Sequence, residues 1–372
     1  MSWKIPLFKI YWDEDDVNHI IKEIQSGMNW AVGPQVKEFE ELIREEIGTE
    51  YAVTFNSGTS ALHSLFLAHN IGNGDEVIVP SFTFIATANS PLFVGAKPVF
   101  ADIEDETLGL DPESVKETIT DKTKAIMPIH YGGCPCKIRE LKEIAEDHDL
   151  ILIEDAAEAQ GAKIRDKNVG TFGDSAILSF CQNKIITTGE GGAVVTDSRE
   201  VFERLNLIRS HGRLEHSNYF TSLEPFDYVD LGFNFRMSNL TASLGIAQIK
   251  KLDKIIGMRR ENSLYLSKNL DKIEGINPII PPEDYYHVYQ LYTAIANKRD
   301  ELMSYLADKG IMSKVYFDPV HLTHFYRNVM KYECKLPVTE EISKKVITLP
   351  MYPTLSKSDM DFIINEIKEF YG

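Results

Sequence analysis

From Tyr51 onward the chain alternates short β-branched runs with amphipathic stretches, and this alternation constrains the fold more than any other feature. Tyr51–Phe55 reads as a strand, 59–68 as a helix, 76–79 as a strand, 83–92 as a helix and 98–101 as a strand. Asp111-Pro112 starts another helix, with Pro at its first helical position. Residues 124–129, 138–148 and 150–153 continue as strand, helix and strand. This order predicts an α/β fold, with a mainly parallel central sheet sandwiched by helices. In such sheets ligands sit at the carboxyl ends of strands, so the residues just past each strand are the informative ones.

The flanks extend this frame. Residues 14–26 carry Val17, Ile20, Ile21 and Ile24 at helical spacing and stop at Gly27; a second helix over 35–47 is closed by Gly48. Ser175–Ser179 and 193–196 read as strands, and 199–208 and 239–252 as helices. Beyond residue 250 the pattern changes to a helix at 255–270, a strand at 291–296, a helix at 299–309 and late helices at 340–346 and 358–370. With 372 residues the chain exceeds what a single core usually holds. The expected division is a large domain over 1–250 and a smaller α+β C-terminal domain over 251–372.

Composition excludes some functions. Lys plus Arg number 39 against 56 Asp plus Glu, a net charge of −17, which opposes binding to nucleic acid or anionic membranes. Four cysteines are too few for a disulfide framework, and Cys134-Pro-Cys136 has neither redox nor zinc spacing. Met1-Ser-Trp-Lys-Ile-Pro-Leu-Phe has no long apolar core, and no apolar run approaches the ~20 residues that cross a bilayer. A soluble, cytoplasmic protein is expected.

Four segments fall where the parallel-sheet frame puts a ligand. Asn56-Ser57-Gly58-Thr59-Ser60 follows a strand and opens a helix, whose free N–H groups suit an anion. Glu154-Asp155-Ala-Ala-Glu158 ends an almost wholly apolar strand; a carboxylate there could hold a metal, a ribose or a protonated ring nitrogen. Lys184 follows the strand ending at Ser179 and precedes the flexible Gly189-Glu-Gly-Gly192. Gly232-Phe-Asn234-Phe-Arg236-Met sets a polar pair among aromatics before a helix, and reads equally as a structural turn. A lysine, an upstream buried acid and a phosphate cradle together suggest pyridoxal 5′-phosphate (PLP), with no metal required.

At this point the chain resembles the DegT/DnrJ/EryC1/StrS family of PLP-dependent sugar aminotransferases, within PLP fold-type I. Besides the four segments, the likeness runs through Gly33-Pro34-Gln-Val-Lys-Glu-Phe-Glu, Pro80-Ser-Phe-Thr-Phe-Ile-Ala-Thr, Ile129-His-Tyr-Gly132, Asp318-Pro-Val-His321-Leu and Leu349-Pro-Met-Tyr-Pro353. The resemblance implies that Lys184 is the Schiff-base lysine and proton shuttle, and that Asp155 partners the pyridine nitrogen. It implies that Phe84 stacks on the cofactor ring, and that Gly58, Thr59 and Ser179 bind its phosphate. Asn234 would reach that phosphate from a neighbouring subunit, which implies a homodimer with shared sites. Arg236 and His321 are matched to substrate binding. Glu158 departs from the Gln or His common near the cofactor's 3-hydroxyl, and a carboxylate there would be protonated or turned toward substrate.

The implied reaction moves an amino group from L-glutamate, leaving 2-oxoglutarate, to a keto sugar. Asn183-Lys184-Ile-Ile-Thr-Thr-Gly-Glu-Gly resembles members that aminate C4 of a nucleotide-linked (UDP, GDP or dTDP) 4-keto-6-deoxy sugar. The alternatives are amination of a non-nucleotide keto sugar or cyclitol, such as a keto-octulosonate, and a PLP-binding regulator without turnover. Because cofactor and substrate are both phosphorylated, the anion sites must be local, with Lys184, Arg209, Arg213 and Arg236 as candidate cations.

Overall fold

The computed structural model describes residues 3–214, 223 and 225–372. Helices α1 (Glu14–Gln25) and α2 (Pro34–Ile47) precede the first strand, β1 (Tyr51–Phe55). Then follow α3 (Gly58–Ala68), β2 (Glu76–Pro80), α4 (Ile85–Phe93), β3 (Lys97–Ala101), α5 (Pro112–Thr118), β4 (Thr123–Ile126), α6 (Ile138–Asp147) and β5 (Ile151–Asp155). A small hairpin, β6 (Lys163–Ile164) and β7 (Lys167–Asn168), leads to β8 (Ser175–Ser179), β9 (Gly192–Thr196) and α7 (Arg199–Arg209).

Seven of these nine strands form one sheet in the order β1-β9-β8-β5-β4-β2-β3, and the hairpin stands apart from it. Pairs β2–β3, β2–β4, β4–β5 and β5–β8 are parallel. Strand β9 is antiparallel to both neighbours, β8 and β1, which departs from a purely parallel reading. The physical reason lies in the connection. Parallel neighbours need a crossover of a dozen or more residues, usually helical, and the chain between β8 and β9 contains no helix. Strand β9 therefore starts, at Gly192, on the edge where β1 and β8 end.

Side chains alternate across the sheet as the period of two requires. Val53, Phe55, Ile153, Ile177 and Val194 share one core with α3 and α7 residues such as Leu62, Leu65 and Leu205. Ala52, Ala176, Leu178, Ala193 and Val195 face the opposite side, against Phe39 and Ile43 of α2 and Ile246 of α8 (Asn239–Ile249). The sheet is thus covered on both faces. The helical pattern read over 239–252 is broken at Lys250-Lys251, and α9 (Leu252–Leu270) starts there.

A three-stranded antiparallel sheet follows, ordered β10 (Ile276–Pro278), β12 (Tyr292–Ala296), β13 (Val346–Leu349). Its core includes Leu266, Leu302, Leu306, Ile363 and Ile367, from α9, α10 (Arg299–Asp308) and α12 (Lys357–Tyr371). Strand β11 (Tyr285–Tyr286) pairs with β6. The helix read over 340–346 is α11 (Pro337–Lys345), which ends where β13 begins; the run Val-Ile-Thr-Leu is a strand, of which the helical reading had taken in Val346 alone.

Helix α1 inverts the usual arrangement, in which an apolar stripe faces the core. Val17, Ile21 and Ile24 are exposed, at 43%, 44% and 48%, whereas Asp16 and Glu23 are buried. Asp16 is held by Lys251 and by Gln248 (2.8 Å), and Glu23 accepts from Asn239 (2.7 Å). Among the described residues no helix is long and apolar enough to cross a membrane.

Candidate active site

The carboxyl ends of β1, β5 and β8 open onto a cavity of about 410 Å³. Gly58, Thr59, Phe84, Asp155, Glu158, Ser179 and Lys184, which are far apart in sequence, all line it.

One end is built for an anion. Ser57 caps α3, its Oγ accepting the Ser60 N–H at 3.0 Å. The N–H groups of Gly58 and Thr59 lie in the first turn, where a helix supplies no acceptor and its dipole is positive. Ser179 ends β8 beside them. A Cβ on Gly58 would come within 3.2 Å of the Ser179 Cβ, and one on Gly192 within 2.6 Å of the Gly58 Cα. Glycine at these positions is what lets α3, β8 and β9 converge.

The two acids closing β5 have separate tasks. Glu154 is fully buried away from the cavity, 3.0 Å from His130 Nε2, and accepts the N–H groups of Gly170 (2.8 Å), Phe172 (2.7 Å) and Gly173 (2.8 Å). Burial pushes its pKa up, but these partners outweigh burial and hold it below the ordinary glutamate value. Asp155 faces the cavity. Its Oδ2 accepts from the Thr87 hydroxyl at 2.8 Å and its Oδ1 from the Ala157 N–H at 3.1 Å. Burial raises its pKa, opposed by the Thr87 bond and the Ala157 N–H.

Lys184 lies in the connection between β8 and β9, its N–H bonded to the Cys181 carbonyl at 2.9 Å. Its Nζ donates to Glu158 Oε1 at 3.2 Å, while Glu158 Oε2 accepts the Gly132 N–H at 3.0 Å. Glu158 thus faces the lysine. Phe84 lines the cavity yet is 57% exposed, with the Phe317 ring centroid 6.2 Å away.

Asn234, Arg236 and His321 do not line the cavity of this chain. Asn234 is exposed; it bridges Ser210, and its carbonyl accepts from Asn56 Nδ2 at 3.4 Å. Arg236 Nη1 reaches Ser210 Oγ at 3.2 Å. His321 is buried, with Nδ1 2.6 Å from Ser81 Oγ and Nε2 3.6 Å from Glu340, and burial lowers its pKa. Of the other candidate cations, Arg209 is engaged by Glu40 and the Thr54 carbonyl (3.2 Å), and Arg213 is buried against Ser210 Oγ (3.2 Å). Within residues 211–231, residues 215–222 and 224 lie outside the described residues.

Sequence reasoning missed Thr87, Glu190, Lys314, Tyr316 and Phe317 as lining residues. Lys314 reaches the cavity because its backbone exchanges hydrogen bonds with Thr348 (3.1 and 2.8 Å); its Nζ lies 4.8 Å from the Tyr316 ring centroid. The nearby Asp318-Pro-Val-His321 motif was the available signal.

The donor set fits PLP. A phosphate matches the α3 N-terminus and Ser179. A protonated ring nitrogen matches Asp155, a buried carboxylate whose described hydrogen-bond donors are neutral. An aromatic ring matches the open face of Phe84, and an aldehyde matches the amine of Lys184.

Comparisons with known proteins point the same way. Residues 11–368 match the model of the DegT/DnrJ/EryC1/StrS aminotransferase family. The chain is 38% identical to the GDP-perosamine synthase of Escherichia coli O157:H7 over 371 residues, 99% of each protein. It is 34% identical over 360 residues to a protein of Geobacillus stearothermophilus called a pleiotropic regulatory protein, covering 96% of this chain and 94% of that one. Among solved structures, the PLP form of the putative sugar aminotransferase Spr1654 from Streptococcus pneumoniae superposes with a TM-score of 0.90 at 26% identity, covering 99% of this chain and 98% of that one.

Proposed function

This chain belongs to the DegT/DnrJ/EryC1/StrS aminotransferase family and is a PLP-dependent sugar aminotransferase; from that premise we propose that it transfers an amino group from L-glutamate to C4 of a nucleotide-linked 4-keto-6-deoxy sugar. The observation that carries the reading is Lys184 Nζ lining one cavity with Asp155 and the α3 N-terminus. The similarity to a GDP-perosamine synthase supports a sugar nucleotide as acceptor. Lys314 offers a cation at the cavity for the negative charge of such a substrate.

When bound, the cofactor supplies a carbonyl carbon that accepts amines and a ring that withdraws electrons from the neighbouring C–H bond. The chain's residues do the rest. Gly58 and Thr59 N–H groups and the Ser179 hydroxyl hold the phosphate. Phe84 fixes the ring plane, and Asp155 holds the ring-nitrogen proton. The Lys184 amine takes a proton from the donor's α-carbon and later delivers one to the sugar carbon. Glu158 keeps the displaced Lys184 Nζ inside the cavity between those transfers. Asn234 completes the phosphate site of a second copy.

Reconstitution with PLP tests this. Wild type should gain a visible absorbance band that Lys184→Ala lacks, and glutamate should bleach the wild-type band. A panel of nucleotide-linked keto sugars, read by product mass, should then show amination. A band unchanged by Lys184→Ala would defeat the assignment of that lysine. The name of the Geobacillus relative favours one second reading, a regulator without turnover. That reading requires a band that glutamate leaves unchanged. Turnover of free keto sugars alone would select the non-nucleotide alternative.

A further inference from the structure

The turn between β2 and α4 holds an arrangement that the proposed cycle does not use. Thr83 and Thr87 are both buried, at 1% exposure each. Their hydroxyl oxygens lie 2.8 Å apart, and Thr87 Oγ1 lies 2.8 Å from Asp155 Oδ2. A hydroxyl has a single proton and accepts through its lone pairs. With Asp155 ionised, the Thr87 proton is committed to the carboxylate, so the contact with Thr83 must have Thr83 as donor. The result is a directed chain, Thr83 to Thr87 to Asp155. With the Ala157 N–H on Oδ1 at 3.1 Å, both carboxylate oxygens are tied down from the protein side.

We propose that Thr87, supported by Thr83, is a positioning residue that fixes the rotamer of Asp155, and so decides which carboxylate lone pairs are turned into the cavity. This rests on the reading of Asp155 as partner of the ring nitrogen. Three observations converge on it. The carboxylate has a second rotatable bond whose terminal torsion is broad and only weakly preferred; Thr87 and Ala157 supply the restraint. Phe84 belongs to the same turn, and the Thr87 N–H bonds the Phe84 carbonyl at 3.1 Å, so one segment sets both the aromatic face and the Asp155 oxygen. Finally, Thr87 sits in the first turn of α4, whose positive end favours the ionised carboxylate. The charged groups acting on Asp155 from other elements are Lys184, which favours ionisation, and Glu158, which opposes it.

The test uses four variants of the full chain: Thr87→Val, which keeps the shape and removes the hydroxyl; Thr87→Ser, which restores it; Thr83→Val; and Asp155→Asn. The readouts are PLP affinity by fluorescence titration and the pH midpoint of the bound cofactor's absorbance band. Loss of a hydrogen bond to a charged group predicts about tenfold weaker PLP binding in Thr87→Val, with a displaced midpoint. Thr87→Ser should return both to within about twofold of wild type, and Thr83→Val should shift both less. A merely structural threonine would lower thermal stability without moving the midpoint. Wild-type behaviour of Thr87→Val, or a serine variant as defective as the valine one, overturns the proposal. If Thr87→Val does not fold, the Thr83→Val and Thr87→Ser pair decides it: a displaced midpoint in Thr83→Val alone supports it, and no displacement overturns it. An unaltered Asp155→Asn would overturn the assignment of Asp155 and this proposal together. An altered Asp155→Asn beside an unaltered Thr87→Val overturns this proposal alone.

Discussion

Adjacent residues Glu154 and Asp155 show how a strand divides labour between its two faces. Glu154 satisfies three backbone N–H groups of the 170–173 turn and pairs with His130. Glu154→Gln should therefore destabilise the protein by about 3 kcal/mol at neutral pH, because an amide presents donors where the site offers donors. The pH dependence follows from the depressed pKa. The folded carboxyl titrates below the unfolded value, so its contribution is fully present above the ordinary glutamate range. It is lost as pH falls through the folded value. Urea midpoints of wild type and variant should hence differ most near pH 7 and converge below about pH 4; a constant difference down to pH 3 would refute the charge argument. At this scale the sequence was partly legible. A polar pair closing an apolar strand announces a buried site, and the period of two separates the pair onto opposite faces. Which acid faces the cavity depends on His130 and the 170–173 turn, and no local pattern links these to β5. Thr87 was hidden for a similar reason. It reads as a helix residue, and its hydroxyl meets the Asp155 carboxylate across 68 residues of sequence, a contact no local pattern announces.

Elements explain why the cradle forms. The strand-helix alternation made β1, β5, β8 and α3 legible, and with them the place of Gly58, Asp155 and Ser179 at strand ends. The direction of β9 was not legible, because Val-Val-Thr reads the same either way. The helix-free connection from β8 sets it, and the reversal brings Gly192 against the first turn of α3. A Cβ on Gly192 would stand 2.6 Å from both Gly58 Cα and Gly58 N, backbone atoms that cannot swing aside. Gly192→Ala should then push the α3 N-terminus off β9. The expected outcome is PLP affinity lowered at least about tenfold, from misplaced phosphate donors. Stability should fall by about 1–3 kcal/mol, the usual cost of overpacking. Titration with PLP beside thermal melts of the cofactor-free protein measures both. An affinity unchanged in a destabilised variant would mean that the α3 N-terminus does not hold the phosphate. Strand β13 escaped the sequence reading because α11 runs into it without a break. With it escaped Lys314, which reaches the cavity only through pairing with Thr348.

For the whole molecule, the apolar face of α1 is the decisive observation. Its spacing predicts a helix, and the helix is there, but the fold buries the polar side. Asp16 and Glu23 are bound by Lys251, Gln248 and Asn239, which leaves Val17, Ile21 and Ile24 outward on a helix whose flanking sequence holds exposed Trp12 (65%), Met28 (62%) and Trp30 (50%). Exposed apolar side chains concentrated on one segment, rather than scattered singly, mark an interaction site. A net charge of −17 would otherwise keep such chains apart, so the contact must be short-range and hydrophobic. A second copy of the chain is the occupant we propose, because Asn234 is exposed and lies outside the cavity it is expected to serve. Ile21→Glu tests this without touching the core, since Ile21 is 44% exposed and its substitution leaves the buried contacts of α1 in place. Sedimentation should show a dimer for wild type and a monomer for the variant, with circular dichroism unchanged. If the site is shared, PLP affinity should fall in parallel, and adding Asn234→Ala to the monomeric variant should weaken binding no further. In the wild-type dimer the same Asn234→Ala substitution should weaken binding about tenfold. A monomeric Ile21→Glu protein that binds PLP as wild type does would separate the interface from the site, and Asn234 would then have no part in holding the phosphate.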